Sequence, residues 1–235
     1  MAKASRVRLI VRSALIATVV CLLVVGAILV RRAQREARRS NAYGRLCQMR
    51  LALQGYESQH GTLPPLCLRD NQRKPVHSWR ALILPHLDGK EWFKRLDLSR
   101  PWNSDHNRKI IDAVPLEEWT WFARDLPARG FPVSTHILAY LGPNSIWDAK
   151  TDAPIGRTGE HPGAILLVSI PESNIRPLQP GDITENEIRK LVEDGHEVLF
   201  ILAAVPYGYG VVTTEGGRLT FHSWQETLDR MGGAP

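Results

Sequence analysis

The spacing of apolar residues changes along this chain, and each change predicts a different element. From Ser13 to Val30 the stretch SALIATVVCLLVVGAILV carries no charge, and it is bounded by Arg12 on one side and by Arg31 and Arg32 on the other. About 17 to 25 apolar residues cross a bilayer core as a helix, so the run predicts a transmembrane helix. A cleaved signal peptide is the competing reading; it ends in small residues at a processing site, whereas this run ends in paired arginines.

Past the arginines the apolar positions thin out to one face. Tyr43, Leu46, Met49, Leu53 and Tyr56 recur at intervals of three or four. That spacing predicts a long helix that leaves the membrane and lays its second half on a domain. HGTLPP ends it, because Gly61 permits a left-handed turn and Pro64 and Pro65 cannot continue a helix. SWRALILPHL then reads as a short helix capped by Ser78 or as a buried turn, with Pro85 interrupting, and EWFKRLDL has helical spacing. Later the period shortens. Runs rich in Ile, Val, Leu and Phe at 135–142, 164–170 and 197–205, and the pair GYGVVTT and GRLTFHS around Glu215-Gly216-Gly217, predict antiparallel strands with a closing hairpin. Between them DITENEIRKLVEDG is a helix with a Thr184/Glu187 capping box and Gly195 as its stop. Ser223 with Glu226 predicts a second box opening a short C-terminal helix. The fold class is α+β, with one membrane helix.

Charge refines this picture only when it is located. The chain has 235 residues and a formal net charge of +6, which by itself would suit nucleic acid. Residues 1–39 hold nine Lys/Arg and one Glu, a local +8, so the remaining 196 residues carry +6 minus +8, or −2. The folded part therefore has no nucleic-acid footprint. Four basic residues precede the apolar run and five follow it, so the positive-inside rule gives nearly a tie on orientation. Cys21 lies inside the apolar run. Cys47 and Cys67 flank the predicted helix end, and a disulfide between them and two free thiols are both open readings.

Four blocks in this order carry a resemblance: CQMRLALQGYESQHGTLPP, KPVHSWRALILPHLDGKEWFKRLDLSRPWNSDHNRKI, YLGPNSIW and ILLVSIPESNIRPLQPGDIT. Together they resemble the bacterial pilin-like family known as domain of unknown function 1559, also described as prepilin-type processing-associated H-X9-DG proteins. The family-motif positions are His77, Ser78, Trp79, Arg80, Pro101, Trp102, His106, Asn107, Gly142 and Pro143. Two features differ from the family pattern. RLIVRSALIATVV lacks the Glu that opens the apolar run in typical members, and Glu215-Gly216 stands in place of Asp-Gly with Val205, not His, ten residues earlier.

The resemblance implies a pilin-like layout, in which the long helix packs on an antiparallel sheet. It implies a cytoplasmic basic tail at 1–12, a span at 13–30, a basic helical stalk at 31–39 and an extracytoplasmic domain at 40–235. The protein is then a single-pass protein of the inner (cytoplasmic) membrane. Its partners are the lipid bilayer and envelope proteins or a pseudopilin-like assembly, and it needs no cofactor and performs no defined reaction.

The alternative is an anchored, hydrolase-like envelope enzyme using the histidines near the Trp-rich segment. His77, His86 and His106 have the chemistry to bind metal or move protons. Their spacings of nine and twenty residues match no compact ligand motif, so no metal site is assigned. Trp79, Trp92 and Trp102 read as core side chains with a local partner for each N–H, and PWNSDHN reads as a turn. The chain contains no G-x-S-x-G, P-loop or H-E-x-x-H motif.

Overall fold

A computed structural model describes residues 2–223, apart from 88, 124–133, 162, 172, 204–208 and 216–217. Glu226 of the expected Ser223/Glu226 box, and the helix expected after it, fall outside the described residues. Contacts divide the chain into two units, Met1–Asn41 and Ala42–Pro235.

One helix, α1 (Ala2–His60), runs through the first unit and into the second. From Leu15 to Val30 its apolar residues face outward on every side; Leu22 and Leu23 are 66% and 68% exposed. A helix apolar all round and covered by nothing is suited to lipid. It is the one helix among the described residues long and apolar enough to cross a membrane. In the second unit the same helix is amphipathic, and Leu46, Met49 and Leu53 are fully buried. It stops where the sequence expected, with Gly61 at φ +79°.

The second unit is built on a six-stranded sheet in the order β5-β3-β4-β6-β7-β8. Its strands are β3 (Ile137–Leu141), β4 (Ile165–Ser169), β5 (Ile183–Thr184), β6 (Val198–Leu202), β7 (Tyr209–Glu215) and β8 (Arg218–Ser223). Five of them pair antiparallel as expected. β5 was not expected; it adds a parallel pair at Tyr140–Ile183 and Leu141–Thr184 on the outer edge. Two residues are too short a run to show a period, which is why the pattern missed it.

Both faces of β3, β4 and β6 are buried, so these strands read as continuous apolar runs rather than alternating ones. Ile137, Ala139, Leu199 and Ile201 enter one cluster with Leu46, Met49 and Leu53 of α1 and with Trp79 and Trp119. Leu138, Tyr140, Val198 and Phe200 enter a second cluster with Ile188 of α5 (Glu185–Glu193). β4 breaks the alternation. Its pairing with β6 shifts register between Ile165 and Leu167, and the bulge sends both Leu166 and Leu167 into the α1 cluster while Ile165 and Val168 share the other face. The sheet also curls: Tyr140 near one edge meets Phe221 on the other at 5.4 Å between ring centroids, edge to face.

Before the sheet, a short hairpin of β1 (Cys67–Arg69) and β2 (Pro75–Ser78) leads into α2 (Trp79–Leu82). Two further short helices follow, α3 (Lys90–Phe93) and α4 (Asp105–Asp112). PWNSDHN, expected as a turn, is a turn that opens α4: Ser104 caps it by accepting from the Asn107 amide at 3.4 Å. α5 has the expected box, Thr184 and Glu187 satisfying each other's amides, and Gly195 beyond its end has φ +82°.

Two glycines of this unit set opposite expectations for alanine. At Gly210 in β7, a Cβ would fall on the backbone carbonyl of His222 in β8 and 2.8 Å from the Phe200 ring that covers the glycine. At Gly44, on the exposed side of α1, it would meet nothing within 4 Å. Thermal unfolding should therefore show Gly210→Ala lowering Tm by several degrees, while Gly44→Ala leaves it unchanged or raises it, by up to about 1 kcal/mol of helix propensity. Equal effects at both positions would contradict the close β7–β8 approach.

Candidate functional site

The HSWR stretch crosses from β2 into α2, and the crossing decides where each side chain goes. Ser78 is the helix cap; its Oγ accepts from the Arg80 amide at 3.0 Å, and its own amide donates to the Leu178 carbonyl at 3.1 Å. Capping turns Trp79 and Arg80 inward, and both are completely buried.

Arg80 is held on every side. Nε donates to the Pro177 carbonyl at 2.8 Å, and Nη2 donates to the carbonyls of Gln179 at 3.0 Å and Gly181 at 2.8 Å. Nη1 donates to Asp182 Oδ1 at 2.9 Å. The same oxygen accepts from Trp79 Nε1 at 3.0 Å and from the Ala139 amide of β3 at 2.8 Å. Gly181 makes this wrapping possible with φ +142°, a backbone that side chains rarely allow. Burial pushes the Asp182 carboxyl above its ordinary range and the Arg80 guanidinium below its own, each opposed by the charge of the other. Lysine could not replace this arginine, since a point charge cannot reach four acceptors spread around a plane.

The second motif block forms its own knot. Asn107 Nδ2 donates to the carbonyls of Asp97 and Pro101, each at 3.0 Å, and of Arg100 at 3.3 Å, while its Oδ1 accepts from the Asp97 amide at 2.9 Å. One buried amide thus shapes the whole 97–101 loop. His77 Nε2 lies 3.4 Å from both Asn107 Nδ2 and the Asp97 carbonyl, and its ring is fully buried. Trp102 docks nearby, with its amide on the Val76 carbonyl at 2.8 Å and the Arg176 guanidinium over its ring at 5.8 Å. Gly142 and Pro143 begin a tight turn closed by the Ser145 amide on the Gly142 carbonyl at 3.0 Å. Asn144 at φ +61° takes the position where a type II turn needs a left-handed residue.

The three histidines do not converge. His77 is interior, His86 packs under Gly55 of α1 and edge-on to Tyr56 at 6.4 Å, and His106 is exposed with Nε2 at 3.2 Å from the Arg95 carbonyl. Among the described residues no three His, Cys, Asp or Glu side chains are grouped closely enough to hold a metal ion. The tryptophans pack in pairs, Trp79 stacked on Trp147 at 6.1 Å and Trp92 tilted against Trp119 at 5.0 Å. Among the described residues Trp92 Nε1 has no hydrogen-bond partner, contrary to the expected local partner. Cys47 and Cys67 are free thiols in this structure. Cys47 packs at the α1 cluster while Cys67 Sγ donates to Asp152 at 3.4 Å, and burial followed by that contact pushes its pKa up to about 11.

Two buried carboxylates went unassigned from sequence. Asp182 is one. Glu57 is the other; it receives the Thr158 amide at 2.9 Å and the Thr158 hydroxyl at 2.6 Å and so pins the 153–160 loop to α1. A signal for Glu57 existed: it stands four residues past Leu53, where the buried stripe of α1 continues. Beside Asp182 lies an open groove of about 570 Å³ between β3, β5 and α5, walled by Leu138, Ile183 and Leu191 and rimmed by Ser173, Glu187 and Lys190.

His77 gives the site a pH signature. Burial lowers its pKa below the usual 6.5, with the Asp97 and Arg100 carbonyls opposing, and burial and then His60 lower that of His86. As pH falls through 6.5 the unfolded chain takes up protons that these rings refuse, so Tm should drop between pH 7 and 5. Asp97 and Asp148 have carboxyls held below their ordinary value, first by the Ser99 hydroxyl and first by the Lys150 amide respectively, and titrate outside that window. His77→Gln should flatten the slope; the same slope in the variant and the wild type would remove His77 from the account.

No curated protein and no solved structure matches the chain. A family profile does match, over residues 32–164, and that span holds the hub arginine, the Asn107 knot and the Gly142-Pro143 turn. With more than half of its length inside the match, the chain belongs to the family described as "Protein of unknown function (DUF1559)".

Proposed function

We propose that this is a pilin-like protein of the bacterial cell envelope, anchored in the inner membrane by residues 13–30. Its domain lies outside the cytoplasm and acts by presenting a surface to other envelope proteins or to a pseudopilin-like assembly, without a reaction of its own. The observation that carries this reading is α1: the helix that bears the apolar run also supplies Leu46, Met49 and Leu53 to the core of the second unit.

The chemistry of the motif residues supports the same reading. Arg80, Ser78, Trp79 and Asn107 are spent on internal bonds, with no free polar group converging on a reacting atom. His77 is enclosed, and its Nδ1 is buried without a partner among the described residues, which supports a place in the core over one facing a substrate. The groove beside Asp182 is the concave surface suited to a partner segment.

Alkaline carbonate extraction of membranes tests the anchor. The full chain should stay in the membrane pellet, and a chain lacking residues 1–30 should be released. In parallel, a periplasm-dependent reporter fused after Pro235 should be active and a cytoplasm-dependent one silent. Release of the full chain, or the opposite reporter pattern, would overturn the anchored, outward-facing reading.

A further inference from the structure

The residues that follow the apolar run are arranged, and not merely basic. A helix turns about 100° per residue, so Arg31, Arg32, Arg35, Arg38 and Arg39 all fall within an arc of about 120°. Ala33, Gln34, Ala37, Ser40 and Asn41 occupy the rest of the circumference, and Glu36 sits at one margin of the arc. Glu36 is paired within the helix, its Oε1 3.1 Å from Arg39 Nη1. Arg31, Arg32, Arg35 and Arg38 are exposed and have no hydrogen-bond or ion-pair partner among the described residues.

Depth matches as well as direction. The stripe begins at the residue after Val30, and Arg38 stands about 10 Å farther along the axis. The headgroup layer on each side of a bilayer is about 5 to 8 Å deep. Arg31, Arg32 and Arg35 therefore lie at headgroup depth, with side chains long enough to bend back toward the interface, and Arg38 lies just above it within a Debye length. Guanidinium groups bind phosphodiesters through paired N–H donors, which a scattered set of lysines would not reproduce.

We propose that this stripe is a binding surface for anionic phospholipid headgroups, which gathers such lipids along one side of α1 and so fixes the rotation of the helix in the membrane. The proposal rests on the anchored reading above and adds to it a lipid class and a set of residues. A plain stop to membrane insertion needs only charge; a stripe confined to a third of the circumference also selects what lies beside it.

The test uses the full chain reconstituted in phosphatidylcholine vesicles with spin-labelled phosphatidylglycerol or spin-labelled phosphatidylcholine as probe, reading the motionally restricted fraction of each. At low salt the relative association constant for phosphatidylglycerol should exceed that for phosphatidylcholine by about fivefold or more. The preference should collapse in high salt. It should also fall at least severalfold in the combined Arg31→Gln, Arg32→Gln, Arg35→Gln, Arg38→Gln variant, while a Lys3→Gln, Arg6→Gln, Arg8→Gln, Arg12→Gln variant keeps most of it. Equal association of the two probes with the wild-type chain would overturn the proposal, as would equal losses in the two variants, since net charge alone would then suffice. In both cases a chain that still floats with the vesicles leaves the anchor intact; failure to float overturns the anchor and the stripe together.

Discussion

A guanidinium taken out of water has to be met on every side, and the buried pair of Arg80 and Asp182 imposes that demand on the rest of the domain. Four acceptors answer it, three of them carbonyls of the 177–181 loop. Asp182 in turn fixes β3 through the Ala139 amide and fixes Trp79 through its indole N–H. Trp79 stacks on Trp147, whose own N–H donates to the Pro64 carbonyl at 2.9 Å just past the end of α1. The exit of α1, the β2–α2 corner, the outer edge of the sheet and the approach to α5 are thus held by one connected set of bonds. Desolvating two charges is offset only while the set is complete, so the hub specifies this arrangement more than it adds net stability.

How much of this was legible depended on range. Local chemistry was readable: Gly61 and Gly195 as helix stops, the Thr184/Glu187 box, Ser78 as a cap, and each of the five longer strands. Elements without a period were not. β1 and β5 span three and two residues, and α4 follows a Pro-Trp-Asn-Ser stretch that looks like a turn and is in part a turn. Partnerships across the chain were the least accessible. Arg80 and Asp182 are 102 positions apart, and Glu57 and Thr158 are 101 apart, and no spacing rule links residues at such separations. For the motif residues, what the sequence lacked was the list of carbonyls they serve.

Function follows from the same division. The side chains that the family block assembles at Arg80 and Asn107 close loops on themselves, and the features left facing outward are the apolar and arginine-bearing parts of α1 and the groove at α5. His77 is fully enclosed, and burial pushes the Cys67 thiol up to about 11.

The central claim is that the hub acts as a unit, and a double-mutant cycle of Arg80→Met and Asp182→Leu, followed by urea unfolding of the full chain in detergent, measures it directly. Each single substitution strands a buried charge and should cost about 3 to 5 kcal/mol, whereas the double variant should cost far less than the sum. Additive losses, within about 0.5 kcal/mol, would contradict the account and reduce the pair to two independent residues.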